Sequence, residues 1–578
     1  MGKNFCKLLR FVALAGLLLG GRALMTELDA QDRPQARSMV ISRYGVVAAE
    51  SPQAARAGVM MLESGGNAVD AAVAANAVMG VVAPMSNGIG GDLFAIVYEA
   101  KSGKLYGINA SGWAPAGLTI DSLTTKGLRA MPLRGIDSVT VPGAVDGWDK
   151  LLAKFGKKKF PEVLAPAIRI AEEGFPVTEW VSMIWARYAE ILQADDNAVQ
   201  TYLISNRPPR VGEVFRNPDL GSSLRQIAAQ GRDAFYKGEI AQRILETSRR
   251  HGGAMAAKDL ADYSAEWVEP ISTKYRGWTV YELPPNGQGL AALEMLNILE
   301  NFPFGAPAQP GAQNQFGFAA TRTLHVMIEA KKLAYADLVK YIGDPRTNKG
   351  LPVAALLSKE YAKQRAALID MDKANCDVEA GAPMPSGGDT IYLSAVDKDG
   401  NMVSLIQSNY ESFGSGLVPD RSGFVLHDRG ALFSLDPASP NALAGRKRPL
   451  HTIIPAFMEK GDTRIAFGIM GGWNQSQAHA QFVANVVDFK MNIQLALEAP
   501  RFTKTTFPGC DVMMENRIPG NVRNELTAKG HVIEVKGAFS SNMGGGQAVM
   551  RDFASGVNYG ASDPRKDGAA VPEMPPIR

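Results

Sequence analysis

Apolar positions along this chain switch between two periods, and each switch marks an element. Tyr44–Ala49 reads as a strand leading into Pro52–Glu63, where Ala55, Val59 and Leu62 fall at helical spacing. Gly65-Gly66-Asn67 is expected to cap that helix. Ala68–Val82 is apolar nearly all round, which predicts a helix buried against a sheet. Asn87-Gly88-Ile89-Gly90-Gly91-Asp92 predicts a tight turn, and Leu93–Tyr98 the next strand. Helical patterns dominate from Ala144 to about Leu368, with a strand-like interruption at Trp278–Leu283.

From Asp377 to Ser386 the composition shifts to Gly, Ala, Pro and Ser, that of an exposed loop. It runs straight into Gly387-Gly388-Asp389-Thr390, after which Ile391, Leu393 and Ala395 alternate with Tyr392, Ser394 and Val396. That is the period of a strand whose two faces meet different environments. Asp397-Lys398-Asp399-Gly400 predicts a hairpin turn, with Met402–Gln407 as the returning strand. A loop joined directly to a core strand is what a processing site between two tightly associated pieces requires. No internal repeat or low-complexity tract interrupts this order.

Composition changes the picture chiefly at the start of the chain. Lys3, Lys7 and Arg10 precede the apolar run Phe11–Leu19, and the small residues Gly20, Gly21 and Ala23 follow. Charge, apolar core and small residues in that order predict a secretory signal peptide, cut between Ala23 and Ala30, an uncleaved anchor being the alternative. Either way the body is expected to be exported, periplasmic or secreted, with no stable membrane span once residues 1–30 are gone. Only Cys376 and Cys510 then remain. Their pairing is possible in an oxidising compartment, but their separation in space is not readable. Over 578 residues, 46% hydrophobic and 21% charged content describes a globular protein with a sizeable core. A net charge of +3 gives no reason to expect nucleic acid as a partner.

Much familiar chemistry is missing. Six histidines form no H-E-x-x-H, and no Cys/His cluster has zinc spacing, so no metal and no cofactor is expected. There is no phosphate loop and no G-x-S-x-G elbow. Gly88-Ile89-Gly90-Gly91 follows a helix rather than a strand, which fails the context test for a dinucleotide fingerprint.

What is present is a series of ordered blocks. They are Glu63-Ser64-Gly65-Gly66-Asn67-Ala68-Val69-Asp70-Ala71-Ala72-Val73-Ala74, Val141-Pro142-Gly143-Ala144-Val145, Leu296-Asn297-Ile298-Leu299-Glu300 and Ala334-Tyr335-Ala336-Asp337. Later come Lys447-Arg448-Pro449-Leu450, Ala499-Pro500-Arg501-Phe502 and Tyr559-Gly560-Ala561-Ser562-Asp563-Pro564-Arg565. Through them, from about Tyr44 to Arg565, the chain resembles the gamma-glutamyltransferase (glutathione hydrolase) family of N-terminal-nucleophile hydrolases. The resemblance implies an inactive precursor that cuts itself before a threonine, here at Asp389–Thr390. A threonine hydroxyl is a weak nucleophile and needs a base. In the precursor its oxygen attacks the Asp389 carbonyl, giving an ester that water opens. The released α-amine, with an ordinary pKa of roughly 7.7–8, then serves as base on the same residue. By the same resemblance Gly471 and Gly472 match the pair whose N–H groups hold the tetrahedral oxyanion. Ser408 matches a second hydroxyl residue beside the nucleophile, a position that a buried serine satisfied by backbone fits equally.

The departures from the family lie together. The arginine that grips the α-carboxylate of a γ-glutamyl group is matched by Ser111, the aspartate for its α-amine by Leu432, and a neighbouring asparagine by Tyr410. A serine pair is replaced by His451-Thr452, and the lid loop is reduced to about Pro440–Arg446. Losing a charged partner in a desolvated clamp costs about 2–5 kcal/mol, so two losses weaken γ-glutamyl binding strongly unless Arg429 or His451 takes over a carboxylate. Both also have ordinary readings, as a surface cation and a satisfied core residue, which are preferred here. With Met470-Gly471-Gly472 followed by Gln475, Gln477 and His479, the pattern is similar to an acylase-like branch of cephalosporin acylases and small-amide amidohydrolases.

The expectation is an α/β (α+β) fold, the four-layer αββα sandwich of N-terminal-nucleophile hydrolases. A signal peptide and linker (1–30), a large subunit (31–389) and a small catalytic subunit (390–578) would derive from one precursor, the two subunits staying together as a heterodimer. The expected activity is hydrolysis, and perhaps transfer, of an acyl group from a small-molecule amide. By family default that group is γ-glutamyl, with a glutaryl, cephalosporin-type or small-amide acyl group as the alternative. An exported binding protein without catalysis is the reading from another class.

Overall fold

The alternation in Asp389–Val396 is explained by burial on both sides. Ile391, Leu393 and Ala395 pack under helices, while Tyr392 and Val396 enter a thin apolar layer with Phe94, Ile406, Phe457, Ala466 and Val549. These residues come from two sheets lying face to face in the computed structural model, which describes residues 35–305, 315–378 and 388–575. The expected signal segment and most of the Asp377–Ser386 loop lie outside the described residues.

The first sheet has seven strands in the order Ala569–Pro572, Val46–Ala49, Asp389–Val396, Met402–Tyr410, Asp92–Glu99, Lys104–Ala110 and Glu266–Val268. The second runs Val40–Ser42, Val557–Ser562, Gly546–Asp552, Thr463–Ile469, Ala456–Lys460, Trp278–Glu282 and Ile271–Tyr275. Every pairing in both is antiparallel. Helices Pro52–Glu63, Ala68–Val82 and Ala144–Phe155 cover the outer face of the first sheet, and Phe160–Glu173 packs on Ala68–Val82. Gly289–Leu299 and Gln475–Val487 cover the second, and Thr321–Tyr341 packs on Gly289–Leu299. The result is the αββα sandwich, with all these elements in the unit Met39–Arg578. Ala68–Val82 is buried along its whole length, as its all-round apolar pattern requires.

Local readings differ in two places. Ser64 ends the helix Pro52–Glu63, while Asn67 opens the next one. The Asn67 side chain accepts from Val69 N (3.0 Å) and Asp70 N (3.2 Å), and the Asp70 carboxylate accepts from Asn67 N (2.8 Å), a capping box. The stretch Ala144–Leu368 also contributes Glu266–Val268 and Ile271–Tyr275, the outermost strands of their respective sheets. They are short and half-exposed, so their apolar alternation is weak.

Cys376 and Cys510 form a disulfide across 134 residues of sequence. Among the described residues no helix is long and apolar enough to cross a membrane.

Candidate active site

Thr390, fully buried, is the second residue of its strand. The ladder pairs Asp389 with Tyr410 and Ile391 with Gln407, so Thr390 faces two residues, Ser408 and Asn409, at a bulge. Bulges re-aim side chains. Tyr410 accommodates this one with a φ of 73°, uncommon for a non-glycine residue. The consequence is a short chain of hydroxyls. Thr390 Oγ1 donates to Ser408 Oγ at 3.1 Å, and Ser408 Oγ donates to the Asp389 carbonyl at 2.8 Å while accepting from Tyr410 N at 2.8 Å. Thr390 hydroxyl and Asp389 carbonyl, the groups that must react in self-cleavage, are thus bridged by one side chain.

Gly388 carries the backbone across the glycine pair. A Cβ at Gly388 would lie 2.8 Å from Gly472 Cα, and the Gly388 φ of 133° also excludes a side chain. Gly471 (φ 124°) follows strand Thr463–Ile469 by way of Met470, and Gly472 (φ 56°) opens the short turn into helix Gln475–Val487. The Gly471 carbonyl accepts from Asn474 N at 2.9 Å and the Gly472 carbonyl from Gln288 Nε2 at 2.8 Å, which fixes both peptide planes. Ser476 Oγ in turn holds Gln288, donating to its backbone carbonyl at 2.8 Å. His479 supports the end of the same strand. Its Nε2 accepts from Ile469 N at 3.1 Å and its Nδ1 donates to Glu282 at 2.8 Å. Burial pushes this imidazole down to about 3, so it is neutral. Gln475 accepts from Ile454 N, and Gln477 bonds the backbone of Trp473 and Lys504. These three residues anchor helix Gln475–Val487 rather than line the cavity.

A cavity of about 310 Å³ opens in front of Asp389 and Gly471, lined also by Trp180, Arg187, Glu411, Ser412 and Lys566. The Asp389 carboxylate reaches into a set of partners that sequence reading did not single out. Its Oδ2 accepts from Ser86 Oγ (2.8 Å) and Ser412 Oγ (3.1 Å), and its Oδ1 accepts from Thr390 N (3.0 Å). Lys566 Nζ stands 3.7 Å from Oδ1, 3.7 Å from Glu50 Oε2 and 3.4 Å from the Trp180 ring centre.

The amino-acid clamp is absent from this cavity. Ser111 is buried behind it, its hydroxyl accepting from Asn286 Nδ2 at 3.2 Å. Leu432 is part of the apolar core against the second sheet. The expectation that Arg429 or His451 is free to hold a substrate carboxylate is corrected here, and so is the preferred surface reading of Arg429, because both residues are buried and spent on Asp92. Arg429 Nε and Nη2 donate to the Asp92 carboxylate at 2.8 and 3.2 Å, and Nη1 donates to Thr452 Oγ1 at 2.7 Å. His451 donates Nε2–H to Asp92 at 2.7 Å and accepts from Ile453 N at 3.3 Å. Burial by itself would raise the Asp92 carboxyl, but Arg429 and His451 hold it well below the usual range. Burial, reinforced by Arg429, pushes His451 down to about 4, so it too is neutral. Arg429 lies 4.7 Å from the Tyr410 ring centre, which puts this network directly behind the bulge.

Asp92 is the central residue that sequence reading missed. Its only local signal is its place at the end of the glycine turn, where it pairs in register with Ser408.

The family model for gamma-glutamyltranspeptidase matches residues 54–573. The chain is 37% identical to the glutathione hydrolase-like YwrD proenzyme of Bacillus subtilis, covering 92% of this chain and 99% of that one. It is 34% identical to the oxamate amidohydrolase proenzyme of Klebsiella pneumoniae, again over 92% and 99%. The solved cephalosporin acylase of Bacillus halodurans superposes with a TM-score of 0.85 at 42% identity, covering 94% of this chain and 98% of that one. The chain therefore belongs to the gamma-glutamyltranspeptidase family and is an autoprocessing hydrolase or acyltransferase acting on amide bonds.

Proposed function

We propose that Thr390 is the nucleophile, freed by self-cleavage of the Asp389–Thr390 bond, and that the mature enzyme is an acylase for amides lacking the γ-glutamyl α-amine. The hydroxyl chain Thr390–Ser408–Asp389 carries this reading. As Thr390 Oγ attacks the Asp389 carbonyl carbon, its proton passes to Ser408 Oγ. Ser408 delivers its own proton to the carbonyl oxygen. The C–N bond then breaks as the proton on the former carbonyl oxygen returns through Ser408 to the Thr390 nitrogen, the C=O re-forms, and an ester links Asp389 to Thr390 Oγ. Water opens the ester, leaving an Asp389 carboxylate and an N-terminal Thr390. In turnover the free amine takes the hydroxyl proton and returns it to the leaving amine, while the N–H groups of Gly471 and Gly472 hold the oxyanion. Chains 31–389 and 390–578 remain associated, because strand Asp389–Val396 sits in mid-sheet between Val46–Ala49 and Met402–Tyr410. The charged and apolar run Lys3–Gly21 supports export.

The substrate assignment rests on Arg429. Arg429, the buried arginine behind Tyr410, cannot replace the missing clamp because it is already held by Asp92 and Thr452. A γ-glutamyl group would bring an α-amine and an α-carboxylate into a partly dry site where Leu432 and Ser111 stand in place of the aspartate and arginine that would pair with them. Catalytic efficiency, kcat/KM, on a γ-glutamyl anilide is therefore expected to be exceeded by that on the des-amino glutaryl anilide. Efficient hydrolysis of glutathione with no activity on des-amino acyl amides would overturn the assignment.

A further inference from the structure

The precursor contains its own acyl donor. In self-cleavage the group transferred to Thr390 Oγ is the Asp389 acyl group, so the ester formed there is an acyl-enzyme whose acyl chain bears a carboxylate. Between the Asp389 carbonyl and that carboxylate stand two carbons, Cα and Cβ. The carboxylate is held by Ser86 Oγ at 2.8 Å and Ser412 Oγ at 3.1 Å, with Lys566 Nζ at 3.7 Å. None of these three belongs to the resemblance drawn from sequence. After cleavage Asp389 is the end of the large chain, and it must withdraw for Thr390 to meet any other substrate. Its departure leaves the Ser412 hydroxyl and the buried Lys566 ammonium lining the cavity beside Gly471, and releases the buried Ser86 hydroxyl from its partner.

We infer that this cradle is the acyl-recognition site of the mature enzyme, and that it takes acyl groups with a carboxylate two carbons beyond the carbonyl: succinyl amides and N-acylated α-aspartyl amides. The inference rests on Thr390 being the acylated residue. The charge balance agrees with it. Lys566 is 5% exposed, and its partners are Asp389, Glu50 and the Trp180 ring. With Asp389 in place, burial is the largest cause that raises the Glu50 carboxyl to about 8; that burial persists when Asp389 leaves and still favours the neutral form, so Glu50 offsets the ammonium only in part. Of the remaining acids at the cavity, Glu411 lies 4.0 Å from Arg134, which also stands 3.5 Å from Asp428. The site left behind calls for an anion, and the chain length comes from Asp389 itself.

The test uses the processed heterodimer and four p-nitroanilides: succinyl, glutaryl, butyryl and oxalyl. Butyryl matches succinyl in chain length without the charge, and the other two move the carboxylate by one carbon outward or two inward. A charge-assisted contact of this kind is expected to favour succinyl over butyryl by about tenfold or more in kcat/KM, with the other two acids below succinyl. Lys566→Met should bring the succinyl-to-butyryl ratio close to unity. Because Lys566→Met can impair processing, inhibition of the wild-type enzyme provides a second measurement. Acetyl-Gly-Gly-Asp should inhibit butyryl anilide hydrolysis better than acetyl-Gly-Gly-Asn. Butyryl equal to or better than succinyl, or the two peptides inhibiting alike, overturns the inference and leaves Thr390 chemistry standing. Processed protein that cleaves no anilide and carries no acyl group on Thr390 defeats the reading of Thr390, and this inference with it.

Discussion

Replacing Ser408 by alanine removes three hydrogen bonds that meet at one oxygen: from Thr390 Oγ1, from Tyr410 N, and to the Asp389 carbonyl. The bond to the carbonyl strengthens as negative charge develops there, so its loss acts on the barrier to self-cleavage. Removing one donor from a developing oxyanion costs about 3 kcal/mol, or about 10²-fold in rate at roughly 1.4 kcal/mol per factor of ten. The Tyr410 N–H is also stranded in a buried bulge, which costs about 1–3 kcal/mol of stability. The two effects separate experimentally. Precursor conversion is followed by reducing gel electrophoresis over time, and stability by the melting temperature of the precursor. Ser408→Ala should convert about 10²-fold more slowly than wild type, and Ser408→Thr should recover most of the rate by restoring the hydroxyl. Conversion of Ser408→Ala within about threefold of wild type, a barrier change below about 0.7 kcal/mol, would refute a bridging role for this hydroxyl.

Other outcomes follow from the same geometry. Cys376 lies before the cut and Cys510 after it, so the processed protein should run as one band on a non-reducing denaturing gel and as two after reduction. Two bands without reductant would show that the disulfide does not join the chains. Ser111→Arg with Leu432→Asp is expected to lower the melting temperature rather than install a γ-glutamyl clamp. Both positions are filled core, and an unpaired buried charge costs about 3–5 kcal/mol. A folded, γ-glutamyl-selective double variant would contradict that packing. Glu50 titrates near 8 in the folded protein against 4.5 ordinarily. Its protonated form is favoured by folding, so its contribution is full below about 4.5 and is lost as pH rises to about 8. The melting temperature of wild type should therefore fall relative to Glu50→Gln across that range, and a constant difference would count against the assignment.

The parts of this protein legible in its sequence are those that depend on neighbours along the chain. The two faces of Asp389–Val396, the buried helix Ala68–Val82 and the turn ahead of Asp92 all follow from local periodicity. The short outermost strands escaped because partial burial blurs their alternation. The site divides along the same line. Thr390, Ser408 and the Gly471-Gly472 pair follow from the family resemblance, and the structure brings all four positions to one end of the strand pair. Asp92 engaging Arg429 from 337 residues away has no local signature, and neither does Lys566 reaching Asp389. Sequence could therefore say that the clamp's charges had been replaced. It could not say that Arg429, the apparent substitute, was already committed.

Every catalytic step above depends on Thr390 becoming an N-terminus and acting from there. Intact-mass analysis with N-terminal sequencing of the purified, reduced protein tests it most directly. Two chains are expected, the smaller beginning at Thr390, and a single inactive chain for Thr390→Ala. A wild-type protein that stays in one piece and still hydrolyses amides would contradict it.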